Sequence, residues 1–238
     1  MQTLPSQILY PDSDGEPMAD NTRQFRWIVT VKEGLEYLFR NDANVFVAGD
    51  LLWYPVEGDP KTRVAPDALV VFGRPKGERG SYRQWEEDGI PPQVVFEILS
   101  PGNTFRGMLQ KLHFYERFGV CEYYIYDPDR GTLEGFVREG DVLEPIPEMQ
   151  GWVSPRLGIR FGLEGIDLDL RYVSGRPFIS FTEALVEAEQ ERERAEQERQ
   201  RADQAQQQTE QERRRSESLA QKLRELGVDP DQITEMIE

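Results

Sequence analysis

Residues 92–128, PQVVFEILSPGNTFRGMLQKLHFYERFGVCEYYIYDP, read as strand, helix and strand in succession. The first run is β-branched and aromatic and ends at Pro101-Gly102, as a strand does. In the middle, Met108, Leu109, Leu112, Tyr115 and Phe118 recur at helical spacing until Gly119 stops them. CEYYIYDP then returns to strand composition. Glu97 lies inside the first strand, between Phe96 and Ile98. A carboxylate there must be paired, protonated or bound to a cation, so it is the most informative residue of the chain.

Working outward, residues 44–55 (NVFVAGDLLWYP) and 63–73 (RVAPDALVVFG) supply two more strands, the second apolar enough to be central beside 92–100. In residues 30–42, Thr30 and Glu33 form a capping-box pattern, and Leu35, Leu38 and Phe39 predict one short helix. Residues 74–92 have the composition of a surface loop with a turn near Tyr82–Trp85. Arg74, Lys76, Arg79 and Arg83 offer either a basic rim or ordinary solvated charges. Downstream, 129–147 predicts a hairpin through Glu139-Gly140-Asp141, and 151–173 predicts short strands and turns. The fold class is α/β, a mixed sheet flanked by helices.

Phe, Tyr and Trp are dense up to Phe181 and absent beyond it. Three regions are therefore expected: a flexible Pro/Asp/Ser-rich lead over 1–22, an α/β domain over 23–182 and a charged helical tail over 183–238. In the tail, Glu189/Arg192, Glu191/Arg194, Glu196/Arg199 and Glu198/Arg201 support a solvated helix. Ala188, Ala195, Ala202 and Leu223 keep heptad phase, but the complementary Arg192, Arg199, Gln206 and Arg213 are polar. The tail is thus either a thin coiled coil joining two or more copies or a single exposed helix. Leu219, Leu223 and Leu226 before Gly227, then Ile233, Met236 and Ile237, suggest a short terminal helical hairpin or a frayed end.

The net charge of −16 divides into −9 over 1–182, with 19 basic and 28 acidic residues, and −7 over the remainder. That balance excludes a protein that holds long duplexes through a general basic surface. One cysteine, Cys121, and one histidine, His113, exclude a disulfide framework and a thiolate or histidine-rich metal centre within one chain. His113 reads best as a surface or structural residue of its helix. No leader or membrane-spanning run is visible, so a soluble cytoplasmic protein is expected.

Asp67 opens the apolar strand ALVVF, either as a simple turn acid or as a partner for Glu97. If the two strands are neighbours, Asp67 and Glu97 converge on one hard divalent cation, Mg²⁺ or Mn²⁺, which needs neither histidine nor cysteine. Such a cation would support phosphodiester hydrolysis.

GDLLWYP (49–55), VAPDALVVFG (64–73), FEILSPGNT (96–104), KLHFYERFGVCEYYIYDPDRGTLEGF (111–136) and the tail ending LRELGVDPDQI (223–233) together resemble the Uma-type restriction endonuclease family of the PD-(D/E)XK nuclease superfamily. The resemblance implies a restriction-endonuclease-like fold and a DNA substrate. It makes Asp67 and Glu97 metal-binding catalytic acids, with the backbone carbonyl of Ile98 as a third oxygen. The superfamily lysine two residues after the glutamate is replaced here by Leu99. Lys111, the only lysine on the following helix, would orient or deprotonate water or stabilise the phosphate; the alternative is a surface lysine lying along Phe114 and Tyr115. Gly107 stands where the family suggests an aspartate, and Asp50 and Glu36 are the candidate compensating acids. Gly102 and Asn103 are expected to shape the strand-to-helix turn. Against a metal-dependent DNA endonuclease stand two other readings: a catalytically inactive nuclease-like binding or scaffold module that works through its tail, and a purely structural assembly protein.

Overall fold

The computed structural model describes residues 8–13, 15 and 18–227. It divides the chain into two compact units, 1–181 and 182–238. The first unit is built on a six-stranded sheet. In chain order its strands are β1 (Val45–Ala48), β3 (Ala68–Phe72), β5 (Val94–Ile98), β6 (Glu122–Asp127), β7 (Thr132–Glu139) and β8 (Val142–Pro145). They lie side by side in that same order. All neighbours are antiparallel except β5 and β6. That one parallel pair needs a crossover, and helix α2 (Phe105–Arg117) supplies it. Two small pairs complete the unit: β2 (Trp53–Tyr54) beside β4 (Tyr82–Arg83), and the hairpin of β9 (Arg160–Glu164) with β10 (Asp167–Arg171).

Both faces of the sheet are covered, which is why its middle strands are continuous apolar runs. On one face Ile28, Val31 and Leu35 of helix α1 (Thr22–Leu38) pack with Val70, Phe96, Tyr124 and Phe161. On the other, Tyr115 of α2 packs with Trp53, Leu69, Val95 and Tyr123. Alternation along β5 therefore sends Val94, Phe96 and Ile98 toward α1. Val95 and Glu97 point toward α2.

Helix α1 begins eight residues before the Thr30 start that the capping-box pattern suggested. Asn21 is the actual cap, its side chain accepting from the Gln24 amide at 2.9 Å. The β-branched run Ile28-Val29-Thr30-Val31 is a weak helix former, but the buried positions Ile28, Val31 and Leu35 override that preference. The expected single strand over 44–55 is likewise broken. Asp50 takes a left-handed φ of 48° and its N–H bonds to the Pro66 carbonyl, which sends β1 and β2 into different sheets.

In the 1–22 segment, expected to be a flexible lead, Leu9 is 79% exposed while Tyr10 and Pro11 touch the body. Tyr10 packs on Tyr54 and Trp85, and the Tyr54 hydroxyl donates to the Pro11 carbonyl at 2.7 Å. The 74–92 loop also folds onto itself: Glu87 accepts from Arg74 at 2.8 Å and from Arg79 at 2.6 Å, Asp88 pairs with Arg74, and Arg83 meets Glu86 at 3.3 Å. With Lys76 held by Glu36 at 3.3 Å, the supposed basic rim is a set of internal ion pairs.

In the second unit, helix α3 (Phe181–Glu225) has no buried residue. Its described ion pairs close at Arg213–Glu210, Arg213–Glu217 and Arg214–Glu210. The terminal hairpin predicted around Ile233 and Met236 lies outside the described residues. Among those residues, no helix is long and apolar enough to cross a membrane.

Candidate active site

The pairing of β3 with β5 matches Ala68 to Phe96 and Leu69 to Val95. Continued by one residue, that register sets Asp67 opposite Glu97, so their side chains leave the same face as direct neighbours. Asp67 Oδ2 accepts from the Ile98 N–H at 2.6 Å, which ties the acid to the neighbouring strand.

Helix α2 brings the third group. Lys111 Nζ lies 2.6 Å from Glu97 Oε2, and the Tyr115 hydroxyl donates to Glu97 Oε1 at 2.5 Å. Lys111 and Tyr115 are four residues apart and so share one helix face. Thr104 caps the helix, its hydroxyl accepting from Gly107 N–H at 3.1 Å. The lysine thus reaches from the helix to the glutamate, while Leu99 is held in the backbone ladder by Tyr126 at 2.8 Å.

A pocket of about 420 Å³ opens on these groups, lined by Asp20, Gln24, Asp50, Asp67, Glu97 and Lys111 together with Ser100 and Asn103. Asp50 is therefore brought in by the break between β1 and β2. Glu36 is not: it pairs with Lys32 and Lys76 on the outer face of α1. Gly107 does not line the pocket. Gly102 lies close to Asp20: a Cβ there would come 2.8 Å from Asp20 Oδ2 and displace that side chain.

Asp20 and Gln24 escaped the reading of the sequence. Asp20 accepts from the Ser100 hydroxyl, and Gln24 Nε2 donates to the Ile98 carbonyl at 2.8 Å while its Oε1 accepts from Asp20 N–H. The available signal was Asn21-Thr22-Arg23-Gln24, a helix-start pattern of cap residue and glutamine three positions later. Tyr115 was read only as part of an apolar stripe, and its hydroxyl gives no signal in a periodicity.

The electrostatics are those of an acid pair with one cation. Burial first, then the neighbouring Glu97 charge, push Asp67 up to about 8, with the Ile98 N–H and Lys111 opposing and Asp50 adding. Burial works against the Lys111 ammonium, but Glu97, Asp67 and Asp50 outweigh it and hold its pKa above the usual lysine value. Burial and Glu97 raise Tyr115 well above an ordinary phenol, so it remains a donor.

The oxygens suit a hard divalent cation. Asp67 Oδ1 accepts no hydrogen bond among the described residues, and an acid that retains its proton near neutrality beside a second acid is what a cation would relieve. The Ile98 carbonyl already accepts from Gln24, yet a carbonyl has a second lone pair. Among the described residues no group of three or more His, Cys, Asp or Glu side chains is gathered closely enough to hold an ion. Any such site rests on two carboxylates and backbone oxygen.

The chain belongs to the Uma2 family, described as "Putative restriction endonuclease", whose model matches residues 15–171. Among solved structures, a crystal structure described as "a putative nuclease belonging to DUF820 from Anabaena variabilis ATCC 29413" is similar, with 17% identity over 60% of this chain and 77% of that one and a TM-score of 0.44. No curated protein matches.

Proposed function

We propose that the first unit is a metal-dependent DNA endonuclease, with Asp67, Glu97 and Lys111 as its catalytic residues. The observation that carries this reading is the meeting at one pocket of Asp67, just before β3, Glu97 of β5 and Lys111 of α2, with Lys111 Nζ 2.6 Å from Glu97. Asp67, Glu97 and the Ile98 carbonyl would hold Mg²⁺ or Mn²⁺. When bound, the cation would supply charge stabilisation at the phosphodiester and acidify attacking water.

The protein's own groups do the rest. Tyr115 fixes one oxygen of Glu97, and Ile98 N–H fixes one oxygen of Asp67, so both carboxyl groups are set before substrate arrives. Gln24 orients the Ile98 carbonyl. Lys111, charged and already aimed into the pocket, is placed to neutralise a phosphate oxygen as negative charge develops on it. The family description supports DNA as the substrate.

Purified full-length protein with Mg²⁺ or Mn²⁺ is expected to nick or linearise supercoiled DNA, with Glu97→Ala and Lys111→Ala each removing the activity. Wild-type cleavage no greater than that of Glu97→Ala under either metal would overturn the reading. The hydrogen bonds on both Glu97 oxygens favour one other possibility, an inactive head that works through the tail. That reading predicts full biological function from Asp67→Ala/Glu97→Ala. In either case residues 183–238 would join two copies, so light scattering should show the mass of one shortened copy once they are removed.

A further inference from the structure

Most cations of the first unit are neutralised by a neighbouring carboxylate: Arg23, Arg26, Lys32, Arg74, Lys76, Arg79, Arg83, Lys111, Arg130 and Arg171 all have one within 4 Å. Of the other cations, Lys61, Arg63 and Arg117 have no carboxylate within 4 Å among the described residues and line one groove of about 310 Å³ together, while Arg40, Arg106, Arg138, Arg156 and Arg160, likewise without one, lie outside it. Gln110 and His113 are polar groups of the same groove, and half-buried Phe114 and Phe118 contribute aromatic surface to it. In a unit of net charge −9, unneutralised cations collected in one place are a directed feature.

The groove is also built. Asp59 holds the turn that presents the first two cations, accepting from Lys61 N–H at 3.1 Å and from the Thr62 hydroxyl at 2.6 Å. Its carboxylate is thereby occupied, although its charge still acts on Lys61. Arg63 is steadied by the Tyr54 hydroxyl at 3.3 Å, and Arg117 stacks on Phe118 with its guanidinium 5.2 Å from the ring centre.

Its lining adjoins that of the acid pocket along the chain. Val64 and Ala65, the next residues after Arg63, line that pocket, and so does Lys111, adjacent to Gln110 on α2. Val64 is locked to Trp53 by reciprocal backbone hydrogen bonds of 2.8 and 3.2 Å, which holds the segment that contributes to both linings. A polyanion lying in the groove would be directed to the acids, which by themselves repel it.

We infer that this groove binds the sugar-phosphate backbone of the DNA strand being cut, with Lys61, Arg63 and Arg117 on its phosphates. The inference rests on the nuclease reading for its substrate but not for its test. Phe114 and Phe118 provide surface for a base or sugar next to those phosphates, as in grooves that carry single strands.

Full-length protein is titrated in EDTA against a short labelled DNA duplex and against its single strand, with anisotropy followed over a range of salt. K61Q/R63Q/R117Q is expected to weaken binding at least tenfold and to reduce the slope of log affinity against log salt by about 2 to 3, at roughly 0.7–0.9 for each phosphate left without its cation. K61Q/R117Q, which leaves the Arg63–Tyr54 hydrogen bond intact, should remove about two thirds of that slope. R40Q, whose arginine stacks on Tyr37 outside the groove, should leave it unchanged. A triple variant with the wild-type slope, an equal effect of R40Q, or a wild type that binds neither probe overturns the inference. Cleavage that depends on Glu97 alongside an unaltered slope would retain the nuclease and remove the groove, whereas a diminished slope without any cleavage would do the reverse.

Discussion

Two glutamates are buried on adjacent strands of one sheet, 2% exposed at Glu97 and fully enclosed at Glu122, and their surroundings differ in kind. Glu122 points to the α1 face, where it accepts from the Tyr124 hydroxyl at 2.9 Å, the Arg156 N–H at 2.8 Å and the Ser154 hydroxyl. Those donors are uncharged, and they pin the 152–159 segment to β6. Glu97 points to the α2 face, meets an ammonium and a phenol, and has a second acid across the strand. A buried carboxylate with neutral donors on every side is a fastening. One that shares a pocket with another acid and a cation is a place where charge is held for use.

The sharpest way to break this distinction is to exchange the losses. Glu97→Gln should reduce cleavage by at least about 100-fold, the scale of losing a catalytic acid or base. Its effect on thermal unfolding should be small, because Asp67, already acting on the Lys111 ammonium, can ionise and replace the missing partner. Glu122→Ala should do the opposite. It strands three donors in the core and should cost about 3 kcal/mol in denaturant unfolding, while cleavage per folded molecule stays at the wild-type level. If Glu122→Ala removes activity at unchanged stability, the two glutamates are not the different objects they look.

A smaller effect follows from Asp67. Its folded value of about 8 lies above the ordinary 3.8, so the folded chain retains a proton that the unfolded chain has released. Its contribution to stability is therefore present below about pH 4, declines as pH rises toward 8 and is flat beyond. Metal-free wild type should lose stability relative to Asp67→Asn across that window in denaturant titrations at pH 5, 6.5 and 8. A cation must displace the same proton, so calorimetry near pH 7 in buffers of different ionisation enthalpy should record about one proton released per Mg²⁺ bound. A pH-independent difference between wild type and variant would mean that Asp67 is already ionised and that Glu97 exerts no such pressure on it.

The two glutamates were not equally legible. Glu97 stood out because Val95, Phe96, Ile98 and Leu99 leave no polar face for it, Asp67 because it opens the neighbouring apolar strand, and the resemblance to Uma-type endonucleases added Lys111. Glu122 is the first residue of β6 in CEYYIYDP, where an acid at a strand end normally faces water. Its burial depends on a segment some 30 residues later in the chain, which no local pattern reports. The central strands, α2 and the hairpin at Gly140 were readable because each is a local period ended by a turn residue. The break at Asp50 and the entry of Asp20 and Gln24 into the pocket were not, since each depends on partners from other parts of the chain, whereas the α1 start at Asn21 was a local cap masked by the weak helix formers that follow it. Composition likewise made Arg74 and Arg79 look available, although Glu87 pairs with both.

Gly107 gives the smallest effect and the finest test of where the functional surroundings of Glu97 end. It occupies the third position of α2, whose first turn contains no acidic residue. A Cβ at this position would meet only Thr104 Oγ1, at 3.3 Å, a contact that a shift of a few tenths of an ångström relieves. Gly107→Ala should therefore stabilise the protein by somewhat under about 1 kcal/mol through the helix backbone alone. Gly107→Glu should add a few tenths more, because Thr104 and a glutamate three residues later form a reciprocal cap and the carboxylate favours the helix N-terminus. Both should leave cleavage unchanged, since residue 107 is outside the pocket lining. If the glutamate raises cleavage while the alanine does not, the first turn of α2 belongs with Glu97 and Lys111. In that case a pocket drawn around the present side chains is too small.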